Sequence, residues 1–266
     1  MMVSRTAMRA LVVAALILVP LAAAGEGMTL EQIARLKQVS EAEISPDGRW
    51  IAYTRVVPRD LAEEDDGPAW RELHVVDRDG DSRAFVAGQV SIHAIGWMPD
   101  SSAVTFLDER EDDEHATLYR IPVDGGEARR VTTVGEGVSD YSISPDGSRV
   151  ALIATEKDDE SLERRREKGF DQVVFEEEWK PRRLWIGEID GGSPEAIDIE
   201  GSVQEVRWSP AGDRLGITVT PRQLIDDTLM FKRLRIVSAD GETIGEVETP
   251  GKLGQWNWSP DGNRIA

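Results

Sequence analysis

Ile44-Ser45-Pro46-Asp47-Gly48-Arg49-Trp50-Ile51-Ala52-Tyr53 is the stretch on which the reading of this chain turns, because its pattern returns four more times. The returns are Trp97-Met98-Pro99-Asp100-Ser101, Ile143-Ser144-Pro145-Asp146-Gly147, Trp208-Ser209-Pro210-Ala211-Gly212 and Trp258-Ser259-Pro260-Asp261-Gly262, with their prolines 53, 46, 65 and 50 residues apart. Pro presets the backbone of a turn, Asp bonds its own neighbouring backbone, and Gly accepts positive φ, so each copy reads as a hairpin turn. Ahead of the turns, the positions one and three before the serine (or Met98) are Ile44/Ala42, Trp97/Ile95, Ile143/Tyr141, Trp208/Val206 and Trp258/Trp256. That alternation has the period of a strand. Behind the turns come Ile51, Val104, Val150, Leu215 and Ile265, each followed by a small residue: Ala52, Thr105, Ala151, Gly216 and Ala266. Strand, turn and strand therefore recur in matched register, which one chance Ser-Pro-Asp-Gly loop would not do.

A second set of turns lies between the first: Asp79-Gly80, Asp124-Gly125-Gly126, Asp190-Gly191-Gly192 and Asp240-Gly241. They follow Glu72–Asp77, Leu118–Ile121, Leu184–Ile189 and Leu234–Val237, which alternate as strands do. Asp-Gly closes tight hairpins because both residues tolerate positive φ. Two hairpins per period make four strands, and a four-stranded unit repeating at about 50 residues is a propeller blade. The expected fold is all-β: a β-propeller of about four complete blades plus the start of a fifth, an incomplete ring, preceded by a short N-terminal helix. The helix is predicted from Thr29-Leu30-Glu31-Gln32, which has capping-box spacing, with Leu30, Ile33 and Leu36 on one face to pack on the propeller rim.

Length and composition agree. The chain has 266 residues, 40% of them apolar, and no cysteine. Its formal charge is -19, more negative still without Arg5 and Arg9, so phosphate backbones are repelled and nucleic acid is not an expected partner. Residues 1–24 have the layout of a secretory signal: a basic start, an apolar run from Ala10 to Val19, and Ala22-Ala23-Ala24 before Gly25. Cleavage after Ala24 predicts an exported, periplasmic or extracellular protein with no membrane attachment, and the run is short for a span. Without cysteine, its stability must come from packed sheets rather than disulfides. The domain reading is thus 1–24 signal peptide and 25–266 partial propeller, the sequence stopping within a fifth blade.

Three loops are candidate sites. Glu63-Glu64-Asp65-Asp66 lacks the ligand order of a calcium loop and reads as solvated. His115, among the acids 108–114, has no second histidine nearby, so no metal site is expected there. No cofactor motif is read. The third blade is the long one, its extra length falling at Glu156 to Lys180: a charged, helix-permissive run over 160–168, an added strand over 171–175, and then Glu176-Glu177-Glu178-Trp179. Long insertions of this kind are either functional or solvated excursions.

The leader, Leu30-Glu31-Gln32-Ile33-Ala34-Arg35-Leu36-Lys37-Gln38-Val39-Ser40, and Ile44-Ser45-Pro46-Asp47-Gly48 together resemble the start of exported prolyl oligopeptidase family serine peptidases of the acylaminoacyl-peptidase and dipeptidyl-peptidase branch. Lys168-Gly169-Phe170-Asp171 through Arg183-Leu184-Trp185 is similar to that branch too, while the turns alone are shared with TolB-like periplasmic propellers. The resemblance implies a propeller of seven or eight blades that caps a C-terminal α/β-hydrolase domain and restricts cleavage to short peptides. It also implies a peptide substrate. The chemistry would lie on a Gly-x-Ser-x-Gly elbow with Asp and His following. No such elbow occurs here, since Gly137-Val138-Ser139 continues to Asp140-Tyr141 and Gly191-Gly192-Ser193 to Pro194-Glu195. No catalytic residue is assigned, the hydrolase domain is absent from the sequence, and the chain is expected to be inert alone. The dipeptidyl-peptidase branch carries a Glu-Glu pair that binds a substrate ammonium. Glu176 and Glu177 are the similar pair, although here they lead to a Leu-Trp strand. A TolB-like protein-binding module without catalysis is the alternative. A lyase or hydrolase site in the central channel is a poorer one, because His is scarce.

Overall fold

The computed structural model describes residues 27–266 except 61, 159, 171, 173, 175 and 178, so the signal peptide expected over 1–24 lies outside the described residues. The chain divides into two units, 1–36 and 37–266. In the first, α1 (Leu30–Ala34) begins with the expected capping box: the Gln32 amide donates to Thr29 Oγ1 at 3.1 Å and the Thr29 amide to Gln32 Oε1 at 2.9 Å. At five residues α1 is too short to carry Leu30, Ile33 and Leu36 on one face, and all three are exposed.

The second unit is a β-propeller assembled from four antiparallel sheets of four strands. They are β1 (Gln38–Ile44), β2 (Trp50–Val57), β3 (Trp70–Asp77) and β4 (Ser82–Val86); β5 (His93–Trp97), β6 (Ala103–Asp108), β7 (Thr117–Pro122) and β8 (Arg129–Thr132); β9 (Val138–Ile143), β10 (Arg149–Thr155), β11 (Arg182–Glu188) and β12 (Gly191–Ile197); and β13 (Ser202–Trp208), β14 (Arg214–Thr220), β15 (Arg233–Ser238) and β16 (Thr243–Val247). Within each sheet the strands lie in chain order. The fifth turn closes a short hairpin through the Trp258–Ile265 bridge.

The signature turn is built from its own residues. In blade 1 the Gly48 amide donates to Ser45 O at 2.8 Å, Ser45 Oγ donates to Asp47 Oδ1 at 2.7 Å, and the Trp50 amide donates back to Ser45 Oγ at 3.0 Å. Blade 3 repeats this with Ser144, Asp146 and Arg149. Blade 4 has Ala211 at the Asp position, and there Asp213 takes the serine bond instead. The serine hydroxyl and backbone amides hold Asp47 and Asp146 down to about 2, so both stay charged in all but strongly acidic solution. In blade 2, Ser101 stands where the others have Gly, and it adopts φ 62°. Its hydroxyl accepts the Asp47 amide of blade 1 at 3.0 Å, a bond glycine could not make.

The second strands of blades 2 to 4 are the most buried: every residue of β6 is buried, as are Val150–Ala154 on β10 and Leu215–Thr220 on β14, whereas β2 buries only Ala52 and Thr54. Sheets stack face to face, and small residues admit large ones from the next blade. Gly216 shows the fit: a Cβ there would sit 2.5 Å from Cη2 of Trp256. Thr105 meets Tyr141 through its hydroxyl, while Ala52 shares a buried cluster with Ile95 and Ala151 shares one with Val206. The small residues behind each turn are thus sockets for the inner strand of the following blade.

Candidate functional site

Each inner strand carries a register shift, between Val39 and Glu41 on β1, His93 and Gly96 on β5, opposite Ile153 and Ala154 on β9, and Val203 and Glu205 on β13. A bulge re-aims the side chain that follows it. Here that side chain, four residues before the turn serine, is Glu41, Asp140 or Glu205. Each turns to the next blade: Glu41 Oε2 accepts the Ile95 amide at 3.1 Å, Asp140 Oδ2 the Val206 amide at 3.3 Å, and Glu205 Oε2 the Trp256 indole at 3.0 Å. A second row of links lies one residue before the turn. The indoles of Trp97, Trp208 and Trp258 donate to the carbonyls of Glu43, Ser142 and Arg207 on the preceding blade, at 2.9, 3.1 and 3.2 Å.

This inner face is strongly acidic. Burial, with Glu205 nearby, raises Asp140 to about 6, against the pull of two backbone amides and of Arg207. Burial and then Glu41 raise Glu43, and Arg207 again works the other way. Burial also lifts the Tyr141 phenol, helped by the charges of Asp140, Glu41 and Glu43 after its bond from Thr105 is set against it. Glu205 is paired with Lys232 at 2.7 Å. None of these inner-strand acids was singled out by sequence reasoning, although their recurrence four residues before Ser45, Ser144 and Ser209 was there to be seen. Among the described residues, no group of three or more His, Cys, Asp or Glu could hold a metal ion.

The insertion in blade 3 has a fixed foot. The Glu156 amide bonds Pro181 O at 3.0 Å, Arg183 pairs with Glu156 at 3.2 Å, and Lys180 pairs with Glu136 at 2.6 Å and Asp158 at 2.9 Å. Arg166 reaches the same Asp158 from α2 (Glu160–Glu167), the helix expected over 160–168. Of the strand expected over 171–175, Asp171, Val173 and Phe175 lie outside the described residues, and Gln172 and Val174 are in no strand. Glu176 and Glu177 are both exposed, and Glu176 takes φ 63°, a left-handed conformation that side chains rarely adopt. Glu178 lies outside the described residues. Glu176 acts on Arg222, whose guanidinium is raised chiefly by its bonds to the buried Asp227 and, less, by Glu176. Arg222 and Asp227 belong to the excursion of blade 4 that holds α3 (Ile225–Met230), so the charge of Glu176 is felt there. The predicted pair stands apart from the inner-strand acids in sequence and in every contact described.

Burial draws the Lys180 ammonium down, but its bonds and charge interactions with Glu136 and Asp158 outweigh that and leave its pKa above the ordinary value. Lys180→Met should therefore destabilise the foot by about 1–2 kcal/mol, since Asp158 keeps Arg166 and the site is partly solvated. The check is a urea titration, together with faster proteolysis after Arg164, Arg165 and Lys168. Unchanged proteolysis would show that Lys180 does not anchor the insertion.

Four-stranded blades latched at their inner strands define a β-propeller, and similarity narrows the kind. No protein-family model matches the chain. The uncharacterized peptidase YuxL of Bacillus subtilis is 29% identical over 138 residues, which is 52% of this chain and 20% of that protein. Dipeptidyl-peptidase 5 of Porphyromonas endodontalis is 27% identical over 128 residues, 48% of this chain and 18% of that protein. The matches therefore span about a fifth of either relative. Among solved structures, the acylaminoacyl peptidase of Pyrococcus horikoshii has a TM-score of 0.59 at 12% identity over 81% of this chain and 33% of its own. TolB of Acinetobacter baumannii has 0.50 at 17% identity over 76% and 41%. In sequence and fold the chain resembles the propeller region of prolyl oligopeptidase family peptidases. Among the described residues no helix is long and apolar enough to cross a membrane.

Proposed function

We propose that this propeller is the substrate-gating part of an exported serine peptidase that hydrolyses short peptides, its hydrolase domain being encoded beyond Ala266. The supporting observation is that both curated relatives are named as peptidases. In that setting the propeller does no bond chemistry; it excludes folded proteins by size and orients the peptide. Acyl transfer would take place on a serine outside this chain, through a tetrahedral oxyanion. The test is to express the chain with the reading frame that follows it and label the product with a serine-reactive fluorophosphonate. Labelling together with cleavage of short chromogenic peptides supports the reading, and a continuation without a Gly-x-Ser-x-Gly elbow overturns it.

Glu176 and Glu177 are proposed as the anchor for the peptide's ammonium. A carboxylate pair supplies matched charge and acceptors for three N–H donors. The strained backbone of Glu176 is what a side chain held in position for a ligand would show, and the exposure of both residues leaves them accessible. In the extended enzyme, Glu176→Gln with Glu177→Gln should raise KM for peptides with a free amino terminus about tenfold, with little change for N-acylated ones. Equal effects on both substrates would show that the pair is ordinary surface charge.

The fold also resembles TolB. A module that recruits a protein partner without catalysis is what remains if no elbow follows.

A further inference from the structure

The seams between blades are not alike. Among the described residues there are four, and in three of them an indole from the later blade reaches a carbonyl of the earlier one. In the seam between blades 2 and 3 that position holds Ile143, and the carbonyl corresponding to those of Glu43, Ser142 and Arg207 is that of Gly96. No indole reaches it. Three residues before the turn, Tyr141 ties the blades instead, its Oη bonded to Ala94 O at 2.8 Å and Thr105 Oγ1 at 2.9 Å. Blades 2 and 3 are therefore joined through Tyr141, and the position that holds a tryptophan in the other three seams holds the smaller Ile143. A cleft of about 250 Å³ opens there, lined by Gly96, Trp97, Pro99, Asp140, Tyr141 and Ile143 among others.

We propose that this cleft is a binding site for an indole, or a similar planar aromatic N–H donor, that carries an ammonium group. The ring takes the room that Trp97, Trp208 and Trp258 fill in the other seams, against Trp97, Pro99 and Ile143, and its N–H donates to Gly96 O. A cavity of roughly 150 Å³ already accepts benzene, so 250 Å³ accommodates the larger bicycle. The ammonium belongs at the Asp140 end. That carboxylate spends one oxygen on the Tyr141 amide at 2.9 Å and the other on the Val206 amide at 3.3 Å, which leaves about two of its four acceptor sites unused. An aromatic amine or an amino-terminal tryptophan of a peptide has the required chemistry, and an indole carboxylate has the wrong sign. This inference does not depend on the chain being part of a peptidase.

The test uses tryptamine, indole and indole-3-acetate as probes, followed by the backbone amide NMR signals of the protein. Tryptamine should bind with a Kd of about 0.1–1 mM and shift the amides of Gly96, Trp97 and Ile143, with indole-3-acetate at least tenfold weaker. Asp140→Asn should abolish the preference for tryptamine over indole while leaving indole binding intact. Ile143→Trp, which supplies the missing ring, should eliminate binding of all three. If that variant does not fold, Ile143→Phe fills part of the same room and should weaken binding at least tenfold. Absence of tryptamine binding at 10-fold above the expected Kd, shifts confined to other parts of the protein, or undiminished binding in the cavity-filling variant that folds would each overturn the proposal.

Discussion

Trp208→Ala is expected to destabilise the protein by about 3–5 kcal/mol, the range for truncating a large aromatic residue in a packed core. Trp208 is only 6% exposed and sits in the cluster formed by Ala151, Val206, Leu215 and Ile217. It also joins blades 3 and 4 polarly, its indole donating to Ser142 O at 3.1 Å and its amide donating to Ser142 Oγ at 3.0 Å. Arg149 covers the ring at 5.3 Å from its centroid. Trp97 and Trp258 hold the same repeat position but are only half-buried, so their alanine variants should cost about 1–2 kcal/mol each. Trp208→Phe separates the contributions, keeping most of the apolar volume and losing about 1 kcal/mol with the N–H bond. Urea titrations of the four variants are the measurement. A Trp97→Ala cost equal to that of Trp208→Ala would show that burial does not set the strength of the seam.

Asp140→Asn should make the protein more stable at neutral pH and remove a pH dependence. Burial and Glu205 raise this carboxyl from its ordinary 3.8 to about 6, so the folded state holds its proton more tightly than the unfolded chain does. The sign follows directly. Below pH 3.8 both states are protonated and the group has no effect; from there to pH 6 the unfolded chain ionises first, and stability falls as pH rises; above 6 the full penalty is in place. Two pH units correspond to about 3 kcal/mol as an order of magnitude. The charged groups acting on Asp140 are Glu205 and Arg207, and neither is altered by the substitution. The asparagine carbonyl keeps one of the two amide bonds and loses the other, a cost that does not vary with pH. The stability difference between variant and wild type should therefore move in the variant's favour by about 3 kcal/mol between pH 4 and pH 7. A constant difference at every pH would mean that Asp140 acts through packing instead of charge.

The repeat was legible because its causes are local. Ser45, Pro46, Asp47 and Gly48 specify their turn within five residues, and Thr29 with Gln32 specify the start of α1 within three. The small residues Ala52, Thr105, Ala151 and Gly216 were also visible in register, but what fills the space above them was not. Trp256 over Gly216 and Tyr141 on Thr105 are contacts between blades, across 40 and 36 residues of sequence, and turn chemistry says nothing about them. The acids Glu41, Asp140 and Glu205 escaped notice for a related reason. A period-two strand assigns faces by counting, and the bulge just before each acid breaks the count. The short α1 was legible too, but the apolar spacing of Leu30, Ile33 and Leu36 continues past Ala34, where the helix ends, so spacing alone does not fix which of the three lie on it. Glu176 and Glu177 were picked out by resemblance alone, and the left-handed backbone at Glu176 is a property no spacing predicts.

Every indole latch runs in one direction along the chain: the donor belongs to the later blade and the acceptor carbonyl to the earlier one. Because each sheet is made of four consecutive strands, a nascent polypeptide can complete one blade before the next has been synthesised. The newly made blade then finds its docking surface already waiting, and assembly can proceed like bricklaying, each course bedding onto the one beneath.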